Sequence, residues 1–553
     1  MKINESYKPL LKNWLYGIAF YFFPFIIGYF AFSFVLSDNV LHTDVDSARY
    51  MLSALVQGEA AIVALVVTLS LVAVQLAAQS YSARVIEVFR RTPDLWILMG
   101  IYGVAIFYGL GVLKMIEKAN PQVNSLSNLE GHIAFSYYLG VFAYVALVPY
   151  IWKTLDLLKP STVINMLAKG ITKENILYSL EKRQDSPIQP IIDIVRGSLD
   201  KYDYETVREG LKTIGERTNI IFANEIQTRD EEEKISKHIF PHLTRMGKLA
   251  ASKNDEDSTL EVIYNVHKNG ITAIEHRLQS ATLQIELSLE EIGKVAAEYK
   301  LEDATRRVVI SLGNIGKVSA EYKLENAASW AAEFLGLVGI AAAVRKLGGA
   351  TQQAAVSLGW IGIASVENKL EAVALKVTQQ FENIGIAVAE QELEDATQHV
   401  AESLSGIGIA AANQKLEVIT KLVASLLGRV GIVAAKQELE AAYQVVSALE
   451  KVGIAATEQE FDDVSKQVAF SLGAIGITTA EQKPLVTWQV VKSLEVIGMA
   501  AAKRNFKSAI KNAVLYLELV LKTAKEHKLE GIYQEAEESL KKLNEAINKL
   551  ERK

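Results

Sequence analysis

Residues 381–397 read FENIGIAVAEQELEDAT, residues 289–305 read LEEIGKVAAEYKLEDAT, and residues 404–420 read LSGIGIAAANQKLEVIT. The glycine inside this phrase returns every 22 or 23 residues. It stands at Gly247, Gly270, Gly293, Gly316, Gly339, Gly362, Gly385, Gly408, Gly431, Gly453, Gly476 and Gly498. A fixed period of this length marks a stacked-repeat architecture. Within the unit, Ala396, Val400, Leu404 and Ile407 recur at helical spacing. The unit has room for two short helices and tight turns. Glycine costs roughly 1 kcal/mol against alanine inside a helix. Its return therefore implies either close helix–helix approach or a helix end. No unit can bury its apolar face alone, so stacking is what stabilises it.

After Gly498 the phrase decays. Leu521 takes the glycine position in a thirteenth unit, and a Lys/Glu-rich end follows. The phrase Ser-Leu-Gly-x-Ile-Gly, at Ser311–Gly316 and Ser471–Gly476, resembles the second helix of HEAT-like repeats, although those units are longer. Glu298, Glu321, Glu390, Glu458 and Glu481 share one repeat position. They form either an acidic ridge or a solvated face.

Upstream of the repeats the chain changes character. Four stretches are long and apolar enough to span about 30 Å of hydrocarbon, which takes ~20 residues. They run over about 14–36, 52–79, 95–113 and 133–152. Lys2, Lys8 and Lys12 precede the first, Arg84, Arg90 and Arg91 follow the second, and Lys153, Lys159 and Lys169 follow the fourth. The loop after the first span holds Asp38, Asp44 and Asp46 against a single Arg49. By the positive-inside rule both termini face the cytoplasm.

The second span carries a stripe at near-heptad spacing: Ala54, Gln57, Ala61, Ala64, Thr68, Gln75, Ala78 and Ser82. Glu59 lies inside its outer end and Gln79 beside its inner end. Polar groups in hydrocarbon are costly and belong against protein or water. One reading is a pore-lining helix in a ring of subunits, with Gln57, Glu59, Ala61, Ala64, Thr68, Gln75, Gln79 and Ser82 on the pore. Asp38, Asp44 and Asp46 then make an acidic outer mouth. The other reading is close helix packing through small residues.

The segment Val74-Gln-Leu-Ala-Ala-Gln-Ser-Tyr-Ser-Ala-Arg-Val-Ile86 resembles the DUF2254 family of predicted membrane proteins. Gln75, Leu76, Ala77, Tyr81, Ser82 and Arg84 carry the resemblance; Ala83 stands where the family has proline. Gln189-Pro-Ile-Ile-Asp-Ile-Val-Arg196 is similar to that family's post-membrane segment. The resemblance covers roughly residues 10–240. It implies a prokaryotic inner-membrane protein and fixes no mechanism.

Signals for chemistry are few. The 553 residues contain no cysteine, which excludes disulfides and thiolate chemistry. A net charge of −6 gives no reason to expect nucleic acid. Gly313-Asn-Ile-Gly-Lys-Val318 lacks the spacing of a phosphate loop. His238 and His242 sit at ligand spacing, but Pro241 lies between them and no third ligand is evident. The charge run Arg229-Asp-Glu-Glu-Glu-Lys234 reads as a solvated helix face. Neither catalytic residue, metal nor cofactor is expected. The chain is expected to be all-α: a transmembrane domain (1–152), a helical junction (153–242) and a cytoplasmic α-solenoid (243–553). Function is expected to be that of a homo-oligomeric ion channel. The alternative is a membrane-anchored scaffold or sensor that binds a cytoplasmic protein through the solenoid.

Overall fold

In a computed structural model of the chain, the described residues are 8–36, 45–80, 94–118, 126–156 and 159–551. Among them every regular element is a helix. The chain divides into two compact units, Met1–Ile171 with Asp185–Gly210, and Thr172–Gln184 with Leu211–Lys553.

The first unit holds α1 (Lys8–Leu36), α2 (Val45–Ser80), α3 (Asp94–Lys118) and α4 (Leu126–Asp156). Helices α2, α3 and α4 pack on one another, and α1 rests mainly on α4. Their shared core includes Val66, Leu98, Tyr102, Leu139, Ala143 and Tyr150. Glycines let the backbones approach: a Cβ on Gly109 would lie 2.7 Å from Val56, and one on Gly140 2.7 Å from Leu55. Much of the remaining surface is apolar, with Phe23, Phe30, Leu65, Leu69, Val104, Phe107 and Val145 exposed. An apolar groove of about 480 Å³ between α1, α3 and α4 is lined by Phe22, Phe25, Ile101, Val104 and Phe142 among others. At one end of the bundle Lys153 Nζ pairs with Asp94 at 2.6 Å. Trp96 and Trp152 are exposed within two residues of that pair, as expected of aromatic residues at a lipid–water boundary. The same unit includes α5 (Pro160–Ala168) and α7 (Gln189–Asp200). Ile164, Ile191 and Val195 close around Gly210 at the start of α8 (Tyr204–Asn224).

Among the described residues six helices are long and apolar enough to cross a membrane by length and composition. Burial separates them. In their most apolar stretches Asp46–Val72 is 22% buried, Asp94–Ile116 28% and the more central Leu129–Asp156 50%, against 56–61% for the three repeat helices. The repeat helices spend their apolar residues on each other; the first unit turns them outward.

The second unit holds α6 (Lys173–Lys182) and the repeat helices. These are α9 (Arg229–Ser252), α10 (Glu256–Glu275), α11 (Gln279–Glu298), α12 (Glu302–Glu321), α13 (Glu325–Val344), α14 (Gly348–Glu367), α15 (Glu371–Glu390) and α16 (Glu394–Asn413). The series continues with α17 (Glu417–Lys436), α18 (Ala441–Glu458), α19 (Asp462–Thr479), α20 (Pro484–Lys503), α21 (Lys507–Glu526) and α22 (Glu530–Glu551). Each sequence repeat is thus one helix of about five turns, not the two short helices expected from its length. Each helix packs on the next and on the one after that. The structural unit is therefore a helical hairpin two glycine periods long, which is the length of a HEAT unit (roughly 40–47 residues).

The repeat glycine lies inside the helix, and none has positive φ. Every one faces the residue that precedes the corresponding position two helices on. A Cβ on Gly247 would lie 2.8 Å from Ile292, and one on Gly293 3.0 Å from Val338 and 2.7 Å from Val308 of the intervening helix. Close approach, not a helix end, explains the period. Leu521 lies in α21, and among the described residues no helix two further on meets it.

Helix ends use other residues. Lys300, Lys323, Lys346, Lys369 and Lys415 adopt left-handed φ in the three-residue turns. Leu301 N–H then reaches back to Ala296 O at 2.9 Å, a Schellman closure. The N-cap is a leucine whose side chain cannot accept a hydrogen bond. A glutamate from two helices earlier supplies the acceptor. Glu232 accepts from Ala281 N–H and Glu256 from Ala304 N–H, both at 3.0 Å, and Glu302 from Gly349 N–H at 2.8 Å. Consecutive helices run antiparallel, so the shared glutamate position alternates between two edges. Glu298, Glu390 and Glu481 fall on one edge and Glu321 and Glu458 on the other, so they do not form one ridge. All are exposed.

Candidate functional site in the second helix

Helix α2 has two faces of opposite character. Leu52, Val56, Glu59, Val66 and Ser70 are buried on one. Ala54, Gln57, Ala61, Ala64, Thr68 and Gln75 are exposed on the other. The small and polar stripe read from the sequence therefore turns away from its own bundle. Thr68 Oγ1 donates to Ala64 O at 2.8 Å, and Gln57 Nε2 donates to Ser53 Oγ at 3.3 Å. Thr68 and Gln57 both remain exposed.

Glu59 does not belong to that stripe. It is 1% exposed and points between α3 and α4. A Cβ on Gly140 would stand 2.8 Å from Glu59 Oε1. The reason is helical phase: Glu59 follows Leu52 by two turns, while Gln57 and Ala61 lie on either side of the opposite face. Glu59 also sits at the midpoint of the Asp46–Val72 window, not near an end, because α2 begins at Val45. Neighbouring residues from other helices complete its surroundings. Tyr144 places its hydroxyl beside Gly58, and Tyr102 lies in electrostatic reach of both Glu59 and Tyr144. No pattern within the second span could have named Tyr102, Gly140 or Tyr144. The nearest signal was the glycine content of the spans that carry Gly109 and Gly140.

Asp46 is exposed in the first turn of α2, where the helix dipole favours a carboxylate. Asp38 and Asp44, with the family-motif residues Tyr81, Ser82 and Arg84, lie outside the described residues, as does the side chain of Gln79.

The second unit holds fewer groups of interest. The His238 and His242 rings meet edge to face at 5.5 Å within α9, and burial lowers the His238 pKa. Among the described residues no three His, Asp or Glu side chains are grouped to hold a metal. The charge run at 229–234 opens α9 through a capping box between Thr228 and Glu231. Glu231 is held below the usual carboxylate range by the Gln227 backbone N–H first, with help from Thr228 N–H and Lys173. Glu286 is the anomaly: it is fully buried in α11 with neither oxygen hydrogen-bonded.

Residues 14–204 match the model of the DUF2254 family, described as a predicted membrane protein. The match takes in α1 to α7 and stops before the first repeat glycine. The DUF2254 stretch thus supplies the outward-apolar helices, and the repeat array lies beyond it. No curated protein matches the chain. Among solved structures, one similar to it is a "Circular tandem repeat protein with novel repeat topology and enhanced subunit contact surfaces". Identity is 13%, coverage 71% of this chain and 96% of the other, and the TM-score 0.32. Nothing further follows from a likeness of that degree.

Proposed function

We propose that the chain is a multi-pass inner-membrane protein of prokaryotic type that assembles as a homo-oligomer and conducts ions along an axis lined by α2. One observation carries this reading. Gln57, Thr68 and Gln75, with Ala54, Ala61 and Ala64, face away from the subunit's own core on a helix of spanning length. In hydrocarbon such a face needs a second subunit or water. Small residues suit close subunit approach, and the amides suit a wet axis. Both termini and the repeat array then lie on the cytoplasmic side, where the basic loops and the Lys153–Asp94 end of the bundle belong. The array serves gating or docking, and the protein needs no catalytic group.

Reconstituted full-length protein in planar bilayers tests this. Current is expected, and Gln57→Leu with Thr68→Leu should change unit conductance. A full-length chain that runs as a monomer in detergent, or a conductance indifferent to both substitutions, rejects the pore.

A second reading is a membrane-anchored scaffold with no pore. It is favoured by the inward turn of Glu59, which removes the only charge from the stripe, and by Trp360, Phe470 and Trp488 exposed on the repeat array. A silent bilayer together with a single cellular protein retained by the full chain, and released when those aromatics are changed to alanine, would select it.

A further inference from the structure

We infer that Glu59 is a proton-binding site inside each subunit: a carboxylic acid at mid-membrane depth, served by the phenols of Tyr102 and Tyr144. It stands whether or not the α2 stripe conducts.

Three placements support this. Glu59 is 1% exposed at the middle of the Asp46–Val72 window, and neither carboxyl oxygen has a hydrogen-bond partner. A bare carboxylate there would face desolvation with nothing to offset it, whereas a carboxylic acid carries no net charge and can donate. The Tyr102 hydroxyl from α3 is also buried without a partner. Tyr144 from α4 places its hydroxyl against Gly58, the residue before Glu59, and is 37% exposed. The groups facing Glu59 from the two helices packed on it are thus two phenols and a glycine. No basic side chain is among them. A metal ion fits poorly, since hard cations need about six oxygens within 2.6 Å. Here Leu55 and the Gly140 backbone occupy the space beside the carboxyl. A proton needs only one lone pair. It is taken from the aqueous phase and returns there on release.

Infrared difference spectroscopy on the full chain in lipid vesicles tests the assignment. The spectrum of the unmodified protein minus that of Glu59→Gln at neutral pH should show one protonated-carboxyl carbonyl band, missing in the variant. Tyr102→Phe should keep that band and shift its frequency, because a phenol dipole within electrostatic reach of the carboxyl has been removed. This second variant leaves the carboxyl in place and remains informative if Glu59→Gln folds poorly. Loss of ionised-carboxylate bands in Glu59→Gln, with no protonated band lost, overturns the proposal, as does a Tyr102→Phe spectrum identical to the parent.

Discussion

A Cβ added to Gly316 of α12 would lie 2.5 Å from Cδ1 of Ile361, two helices further along. The same Ile-Gly pair in the sequence thus serves two contacts: each glycine receives the isoleucine of a later helix, and each isoleucine fills the glycine of an earlier one. The contact repeats down the array, which is why the dipeptide and not glycine alone recurs.

Gly316→Ala is therefore expected to destabilise the array by about 1–3 kcal/mol, the range for overpacking a core. Ile361→Val removes the clashing carbon and should recover part of that loss. Denaturation of the four proteins in the cycle would show the coupling as non-additivity. Strict additivity would mean that the two residues do not meet.

Glu302 caps α14 from two helices away by accepting the Gly349 N–H at 2.8 Å. Glu302→Ala should cost about 0.5–2 kcal/mol, the usual worth of a cap. Hydrogen exchange should localise the effect to the first turn of α14. Unchanged protection at Gly349 would show that the cap contributes nothing.

Glu286 occupies a core position that holds Val309, Ala332, Ala355 and Val491 in other repeats, and burial pushes its carboxyl well above the ordinary 4.5. A carboxyl raised in the folded state binds its proton more tightly there than in the unfolded chain. Its contribution is intact below about pH 4.5 and is lost as pH rises through the folded value. Glu286→Gln should flatten the fall of melting temperature as pH rises above about 4.5. Parallel curves for the two proteins would refute this.

Lys346 closes the turn before α14 at φ 59. Lys346→Gly removes a left-handed strain of roughly 1–2 kcal/mol and adds some unfolded-state entropy, for a net gain of up to about 1 kcal/mol. A lowered melting temperature would mean that the lysine side chain does more than turn the chain.

On α2 the two faces should separate in function. Gln57→Leu changes conductance because Gln57 is on the outer stripe. Glu59→Gln leaves ion selectivity unchanged because Glu59 faces Gly140 within the subunit. Altered selectivity in Glu59→Gln, measured as a reversal-potential shift, would place Glu59 on the conduction path after all.

The sequence by itself determined what depends on local order along the chain. Apolar runs of spanning length, the positive flanks, the repeat period and the helical spacing of Ala396, Val400, Leu404 and Ile407 were all readable, since each is a one-dimensional pattern set by residue type. The stripe from Ala54 to Gln75 was readable for the same reason. Tertiary structure decided the rest, because it depends on which helices meet. The unit proved to be one helix, since its closing turn is a Lys at left-handed φ, a conformation that sequence reading assigns first to glycine. The glycine became a contact only when Ile361 came round to Gly316. The single ridge of glutamates split in two because neighbouring helices run in opposite directions. Helical phase within α2 already sets Glu59 opposite the stripe, on the face of Leu52; that α3 and α4 pack on that face was decided by the tertiary structure, since no spacing within α2 says which of its faces its own bundle will cover.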